Sequence, residues 1–142
     1  MKAQFLVVTA VAWLLGAGDG KGGGQTKEDS IQGVWIVVSH EDGGKKENVP
    51  KDARITITKD KMTMHAGGKT IAEYQYQLEP SKNPKWIDIT ARGDKMPGIY
   101  ELKNDVLRIC TNENPKGKRS TRFESKPNSE NEVLMVLKRA KP

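Results

Sequence analysis

Cysteine, histidine and aromatic residues are scarce in this 142-residue chain, which has one cysteine, two histidines and 6% aromatic residues. One cysteine cannot form an internal disulfide. Cys110 lies in an apolar strand pattern, so we expect a small buried hydrophobe and not a nucleophile. Neither His40 nor His65 has a second histidine or cysteine at metal-ligand spacing, so both are expected to be ordinary exposed or edge residues. We therefore predict no metal and no cofactor.

Familiar catalytic motifs are also missing from the sequence. It contains no Ser-x-x-Lys, Gly-x-Ser-x-Gly or His-Glu-x-x-His element. Asp88 is the one acid flanked by apolar residues in a strand pattern, and an enzyme centred on it would need Cys110 or a histidine within hydrogen-bond reach. Alternation instead places Asp88 on the face opposite Ile87 and Ile89, where a solvated or turn-bonding carboxylate is expected. We predict that the protein is not an enzyme.

The longest apolar run, Phe5 to Leu15, is too short for a membrane span, which needs about 20 residues. A short basic start precedes the run and Gly16-Ala17-Gly18 follows it, a pattern typical of a signal peptide. We predict a cleaved signal peptide over 1–18, export to the periplasm or the exterior, and no membrane span. The alternative, a buried N-terminal helix, is disfavoured by the glycines that follow. A flexible Gly-rich tether is expected over 19–30, one domain over 31–139 and a tail over 140–142.

Basic residues outnumber acidic ones and give the chain a formal charge of +6, or +5 once Lys2 is lost with the signal peptide. Because the two signs are interleaved, an ordinary solvated surface is one interpretation. A basic face that binds an anionic cell-envelope partner is the other. Export argues against a nucleic-acid partner.

Polar and apolar residues alternate with a period of two in nearly every segment, which predicts a succession of β-strands. Glycine, proline and Asn-Asp clusters separate the strands. The predicted strands cover 33–40, 54–58, 61–65, 69–78, 85–90, 99–103, 106–111, 121–123 and 132–138.

Short links join these strands, and no helix is long enough to cross over between parallel neighbours, so the sheet is expected to be antiparallel. Closing the sheet removes its two unpaired edges. We predict an all-β, antiparallel, up-and-down barrel of about eight or nine strands, with a β-sandwich as the alternative.

A family resemblance supports the barrel. Gln32-Gly33-Val34-Trp35 resembles the Gly-x-Trp element of lipocalins, in which the tryptophan plugs the closed end of the barrel. The chain over 31–139 is similar to an uncharacterised small domain of exported planctomycete-type proteins, described as lipocalin-like. It departs from that family at Ser120, where members often have proline, and at Asn128, where they have glycine. The resemblance implies fold and export, and it supplies no catalytic residues. Further segments that carry it are Val37-Val38-Ser39, Pro84-Lys85-Trp86-Ile87-Asp88-Ile89-Thr90, Gly98-Ile99-Tyr100-Glu101-Leu102, Leu107-Arg108-Ile109-Cys110, Phe123-Glu124-Ser125-Lys126-Pro127 and Leu134-Met135-Val136-Leu137-Lys138-Arg139.

The predicted interior contains tyrosine hydroxyls and flexible thioethers, as an apolar ligand pocket requires. The candidate ligand-binding residues are Met62, Met64, Tyr74, Tyr76 and Tyr100. A packed core with tyrosine hydroxyls at its rim is the alternative.

Gly33 and Trp35 are assigned structural roles, with Lys138 or Arg139 expected over the tryptophan ring. Three functional hypotheses follow from the sequence. They are an exported module for a small hydrophobic or amphipathic ligand, a structural or interaction domain of the cell envelope, and the enzyme centred on Asp88.

Overall fold

The structure, a computed structural model, describes residues 30–127 and 131–141. The predicted signal peptide over 1–18 and all but the last residue of the tether over 19–30 lie outside the described residues. The chain divides by its contacts at Ile31, and the unit Ile31–Pro142 contains every strand described below.

The described residues form strands, turns and bends without a helix. The strands are β1 (Gly33–Asp42), β2 (Lys45–Lys46), β3 (Arg54–Ile57), β4 (Lys61–Ala66), β5 (Lys69–Glu79), β6 (Lys85–Ala91), β7 (Asp94–Lys103), β8 (Val106–Asn112) and β9 (Glu132–Arg139).

Each strand from β3 to β8 pairs with the next along the chain, and all of the pairs are antiparallel. The sheet closes because β1 pairs with both β3 and β9. The short strand β2 pairs only with the end of β1 and lies outside the ring. The result is an eight-stranded closed barrel with one extra strand, which confirms the predicted all-β, antiparallel, up-and-down barrel and is consistent with a lipocalin-like one.

The pairing register defines two ends of the barrel. At one end, Trp35 lies opposite Arg139 on β9, and we call this the Trp35 end. At the other end, Asp42 of β1 lies opposite Val133 of β9, and His40 lies nearby, so we call this the His40 end. The connections β4–β5, β6–β7 and β8–β9 all lie at the His40 end, because each of them follows a strand that runs toward that end.

The predicted start of β7 is wrong. β7 begins at Asp94 and not at residue 99. The reason is that Arg92 and Gly93 both adopt left-handed backbone conformations, with φ of 53° and 86°, and form a two-residue hairpin turn. Pro97, which was predicted to lie in a loop, therefore lies within the strand, opposite Asp88.

The predicted strand over 121–123 is absent, because this stretch forms bends in the connection between β8 and β9. Phe123 instead packs on the outer face of the barrel, against a small second core of Ile99, Cys110 and Leu134. The guanidinium of Arg108 covers its ring at 4.4 Å. Residues 113–127 thus cover part of the barrel wall from outside.

Candidate functional site

The Trp35 end of the barrel is filled. Trp35 is 0% exposed, and its indole Nε1 donates a hydrogen bond of 2.8 Å to the carbonyl of Ile31. The guanidinium carbon of Arg139 lies 4.4 Å from the centre of the indole ring. Gly33 has a φ of 136°, and a Cβ at this position would lie 3.1 Å from Nη1 of Arg139. The close approach of Arg139 therefore depends on glycine at position 33, and the indole of Trp35 is enclosed on all sides.

The His40 end holds a cavity of about 150 Å³ that opens partly to solvent. Its wall is mainly aliphatic and thioether side chains, with a few polar groups toward the mouth. The lining residues are His40, Ile55, Met62, Met64, Tyr74, Ile89, Met96, Ile109, Thr111, Glu113, Val133 and Met135.

Three of the five candidate ligand-binding residues come together here, namely Met62, Met64 and Tyr74. Tyr76 and Tyr100 do not line the cavity, because both are buried in the main core.

Burial raises the pKa of the two core tyrosines, Tyr76 and Tyr100, above the usual value of 10.0. The hydroxyl of Tyr76 donates a hydrogen bond to the carbonyl of Thr58, in the turn between β3 and β4. The structure thus separates the five candidates into three cavity residues and two packed tyrosines.

Methionine is concentrated at this cavity. The chain has five methionines, and all four that the structure describes line the cavity. Sequence reasoning missed Met96, because β7 was expected to begin after it. It also missed Met135, although Val133, Met135 and Leu137 alternate along β9 and could have indicated a shared inner face. Thioether side chains are flexible and polarisable, so they adapt to ligands of different shape.

A β-bulge turns His40 into the barrel. Val37 pairs with Leu137 and Ser39 with Val136, which leaves Val38 as an extra residue without a partner on β9. Such a bulge shifts the alternation of the strand, so that Val37 packs on the core before it and His40 lines the cavity after it. The expectation of an exposed or edge residue is therefore wrong for His40.

His65 lies away from the cavity and does not line it. Its ring nitrogens make hydrogen bonds with the hydroxyls of Thr56, at 3.2 Å, and Thr70, at 3.4 Å. The two histidines therefore do not meet, and among residues 30–127 and 131–141 no three His, Cys, Asp or Glu residues are grouped to hold a metal ion.

Glu113 brings a carboxyl group to the apolar cavity. It follows β8 directly, and its backbone N–H donates a 2.8 Å hydrogen bond to the carbonyl of Asn131, which fixes the chain at the mouth. Partial desolvation raises the pKa of this carboxyl above 4.5, the nearby carboxylate of Asp42 raises it further, and His40 partly opposes the shift. The residue as a whole is exposed, so the mouth contains a carboxyl group that borders the apolar cavity and also reaches solvent.

Asp88 and Cys110, the residues of the enzyme hypothesis, lie on the outer face of the barrel. Asp88 accepts a 2.8 Å charge-assisted hydrogen bond from Arg119. The thiol of Cys110 donates to the carbonyl of Glu124 at 3.5 Å, and burial raises its pKa, whereas a reactive cysteine needs a lowered one. His40 lies on the other side of the wall, so the structure does not bring these three residues together.

Comparison with protein-family models, with curated proteins and with solved structures found no match for this chain. The candidate site therefore rests on its geometry and chemistry alone. Within the described ranges, no helix has both the length and the apolar character needed to cross a membrane.

Proposed function

We propose that this protein is an exported, lipocalin-like binding module that takes up one small apolar or amphipathic molecule in the cavity at the His40 end. The carrying observation is the cavity itself, which lies inside a closed barrel whose opposite end is fully packed. Signal-peptide-like residues at the N-terminus and the resemblance to a lipocalin-like exported family support the same function.

The volume of the cavity limits the ligand. Apolar protein cavities of about 150 Å³ bind benzene, so about 150 Å³ corresponds to a single ring or a short branched chain. Larger molecules such as long fatty acids would have to extend through the mouth. The four methionine side chains can move aside at low cost, which favours a group of related molecules over one rigid ligand.

Toluene is a suitable first probe, because it matches the cavity in size and carries no charge. A ligand at ten times its Kd stabilises the folded state by about 1.4 kcal/mol. For a domain of this size, that corresponds to a rise in Tm of roughly 5 °C. The proposal fails if toluene close to its solubility limit leaves Tm unchanged.

A matched pair of variants separates cavity binding from adsorption to the surface. Val133→Phe adds a ring to the cavity wall and is expected to abolish the toluene-induced rise in Tm. Ile71→Phe makes a similar change at a residue that is 60% exposed and does not line the cavity, so the rise should persist. If both variants respond like the wild type, toluene binds elsewhere.

The exposed pair Lys45 and Lys46 on β2 favours a second candidate function. In this alternative, the domain binds an anionic cell-envelope polymer through its basic surface, consistent with the charge of +5 that is expected once Lys2 is lost with the signal peptide. Retention on an anionic polysaccharide column should then fall as salt is added and weaken further in a Lys45→Glu, Lys46→Glu variant. Retention that does not depend on salt would count against this alternative.

A further inference from the structure

We propose that the ligand of the cavity is a small amphipathic cation, whose ammonium group pairs with the carboxylate of Glu113 while its apolar body occupies the methionine-lined interior. This inference rests on the proposed function and adds the chemical class of the ligand.

The first argument is the state of the Glu113 side chain. It lies at the mouth of the cavity with an exposed side chain, and no hydrogen bond or ion pair to its carboxyl group occurs within residues 30–127 and 131–141. Two acids that lie against the barrel wall do have partners: Asp88 pairs with Arg119, and Glu132 accepts a 2.7 Å hydrogen bond from Ser120. An unpaired carboxylate at the rim of an apolar cavity can accept hydrogen bonds from the ammonium group of a bound ligand, and such charge-assisted hydrogen bonds are the strong ones.

The second argument is the charge of the lining. The chain has 24 lysine and arginine residues, but none of the described residues that line the cavity is a lysine or an arginine. The ionisable groups around Glu113 are His40 and Asp42, both from β1. Glu132 of β9 is bonded to Ser120. The described lining of the cavity therefore offers no lysine or arginine to neutralise the carboxylate or phosphate group of a ligand. Fatty acids and other apolar anions are disfavoured for this reason.

The third argument is the arrangement of polar and apolar groups along the barrel axis. Glu113 and His40 lie toward the mouth, while Met62 and Ile55 lie deeper, next to the packed core. An elongated molecule would therefore enter with its apolar end first and leave its charged end beside Glu113. A primary amine fits because it supplies three N–H donors on a compact head.

Three probes of similar size and different charge test the inference, namely benzylamine, toluene and benzoate. At pH 7.5, the full chain is expected to bind benzylamine about tenfold more tightly than toluene, since hydrogen bonds to charged groups are the strong ones. Benzoate is expected to bind at least about fivefold more weakly than toluene, because its carboxylate would face Glu113 and Asp42. Calorimetric titration measures all three affinities.

Glu113→Gln tests the assigned residue. In this variant the tenfold preference for benzylamine should disappear, while the affinity for toluene changes by less than about twofold. Glu73→Gln is the matched control, because it makes the same change at an exposed carboxylate outside the cavity. This control should retain the preference.

The outcomes distinguish this inference from the proposed function. If toluene binds and benzylamine binds no better, the cavity binds ligands but the cationic class is wrong. If the preference survives Glu113→Gln, the assignment to Glu113 is overturned. If neither molecule binds, the proposed function fails as well.

A measurement on the wild type covers the case in which Glu113→Gln does not fold. Between pH 4 and 8 the ratio of benzylamine to toluene affinity should rise, because the Glu113 carboxyl pairs with the ammonium group only when it is ionised, and its pKa is raised above 4.5. A ratio that stays constant across the range would contradict the inference.

Discussion

Arg119 donates a 2.8 Å hydrogen bond to Asp88 and thereby ties the connection between β8 and β9 to the barrel wall. The same Nη1 lies 2.9 Å from the carbonyl of Gly98, and the guanidinium lies 4.1 Å from the centre of the Trp86 ring. One side chain thus links residues 113–127 to both β6 and β7. Because Glu113 begins this connection, its position at the cavity mouth depends on the same anchorage.

Arg119→Ala is expected to lower the free energy of unfolding by about 1–3 kcal/mol, since it leaves a semi-buried carboxylate at Asp88 without its partner. It should also speed proteolysis within 113–127. Chemical denaturation and limited proteolysis measure the two effects. Arg122→Ala is the control, because Arg122 is 75% exposed and its ion pair with Glu124 is long, at 3.8 Å. Equal effects of the two substitutions would contradict the anchoring role of Arg119.

Trp35→Ala is expected to destabilise the fold by about 3–5 kcal/mol, because it removes a fully buried indole from a filled region. It also removes the ring that lies beneath Arg139 and the hydrogen bond to Ile31. Val38→Ala is the control on the same strand, since Val38 is 56% exposed at the bulge. A Tm within about 2 °C of the wild type for Trp35→Ala would contradict this packing.

The pKa of Glu113 predicts a pH dependence of stability. Partial desolvation raises this pKa above 4.5 in the folded protein. The carboxylate of Asp42 adds to the increase, and His40 partly opposes it. A raised carboxyl pKa stabilises the fold fully below the unfolded value of 4.5 and loses that contribution as the pH rises through the folded value. The free energy of unfolding of the wild type, relative to Glu113→Gln, should therefore fall over that window and then level off.

Denaturation of the wild type and Glu113→Gln at pH 4 to 8 measures this difference. Glu73→Gln accounts for the general loss of one negative charge. A difference that stays flat over the whole range, or that rises with pH, would show that the pKa of Glu113 is not raised in the folded protein.

The alternation of side chains was sufficient to predict the barrel. Ile55 and Ile57, Met62 and Met64, and then Tyr74 each mark one face of a strand, and the structure places them all in the interior. A period of two is a local property, and short links force neighbouring strands to pair. The closure of β1 on β9 followed from the need to pair the remaining edges.

The cavity could be predicted only in part, because departures from the regular period decide which side chains reach it. The bulge at Val38 reverses the alternation of β1 and brings His40 to the cavity, which a regular alternation starting at Trp35 would not indicate. Arg92 adopts a left-handed backbone conformation, which is uncommon for arginine. The sequence therefore did not indicate the hairpin turn there, and the start of β7 and the position of Met96 were not predicted.

The position of Glu113, in the long connection between β8 and β9, could not be predicted from the sequence either. Residues 113–127 contain no regular strand. The alternation that assigned Met62 and Met64 to the interior could therefore not assign Glu113 to a face of the barrel. Its place at the mouth depends on tertiary contacts, such as the hydrogen bond from its N–H to Asn131 and the anchorage through Arg119.

The most direct test of the account is an NMR titration of protein labelled with ¹³C at the methionine methyl groups. Met62, Met64, Met96 and Met135 all line the cavity, so each is a probe of its contents. As toluene is added, these four resonances should shift and saturate with one common Kd. Four unchanged methyl resonances at saturating toluene would contradict a ligand-binding cavity in this barrel.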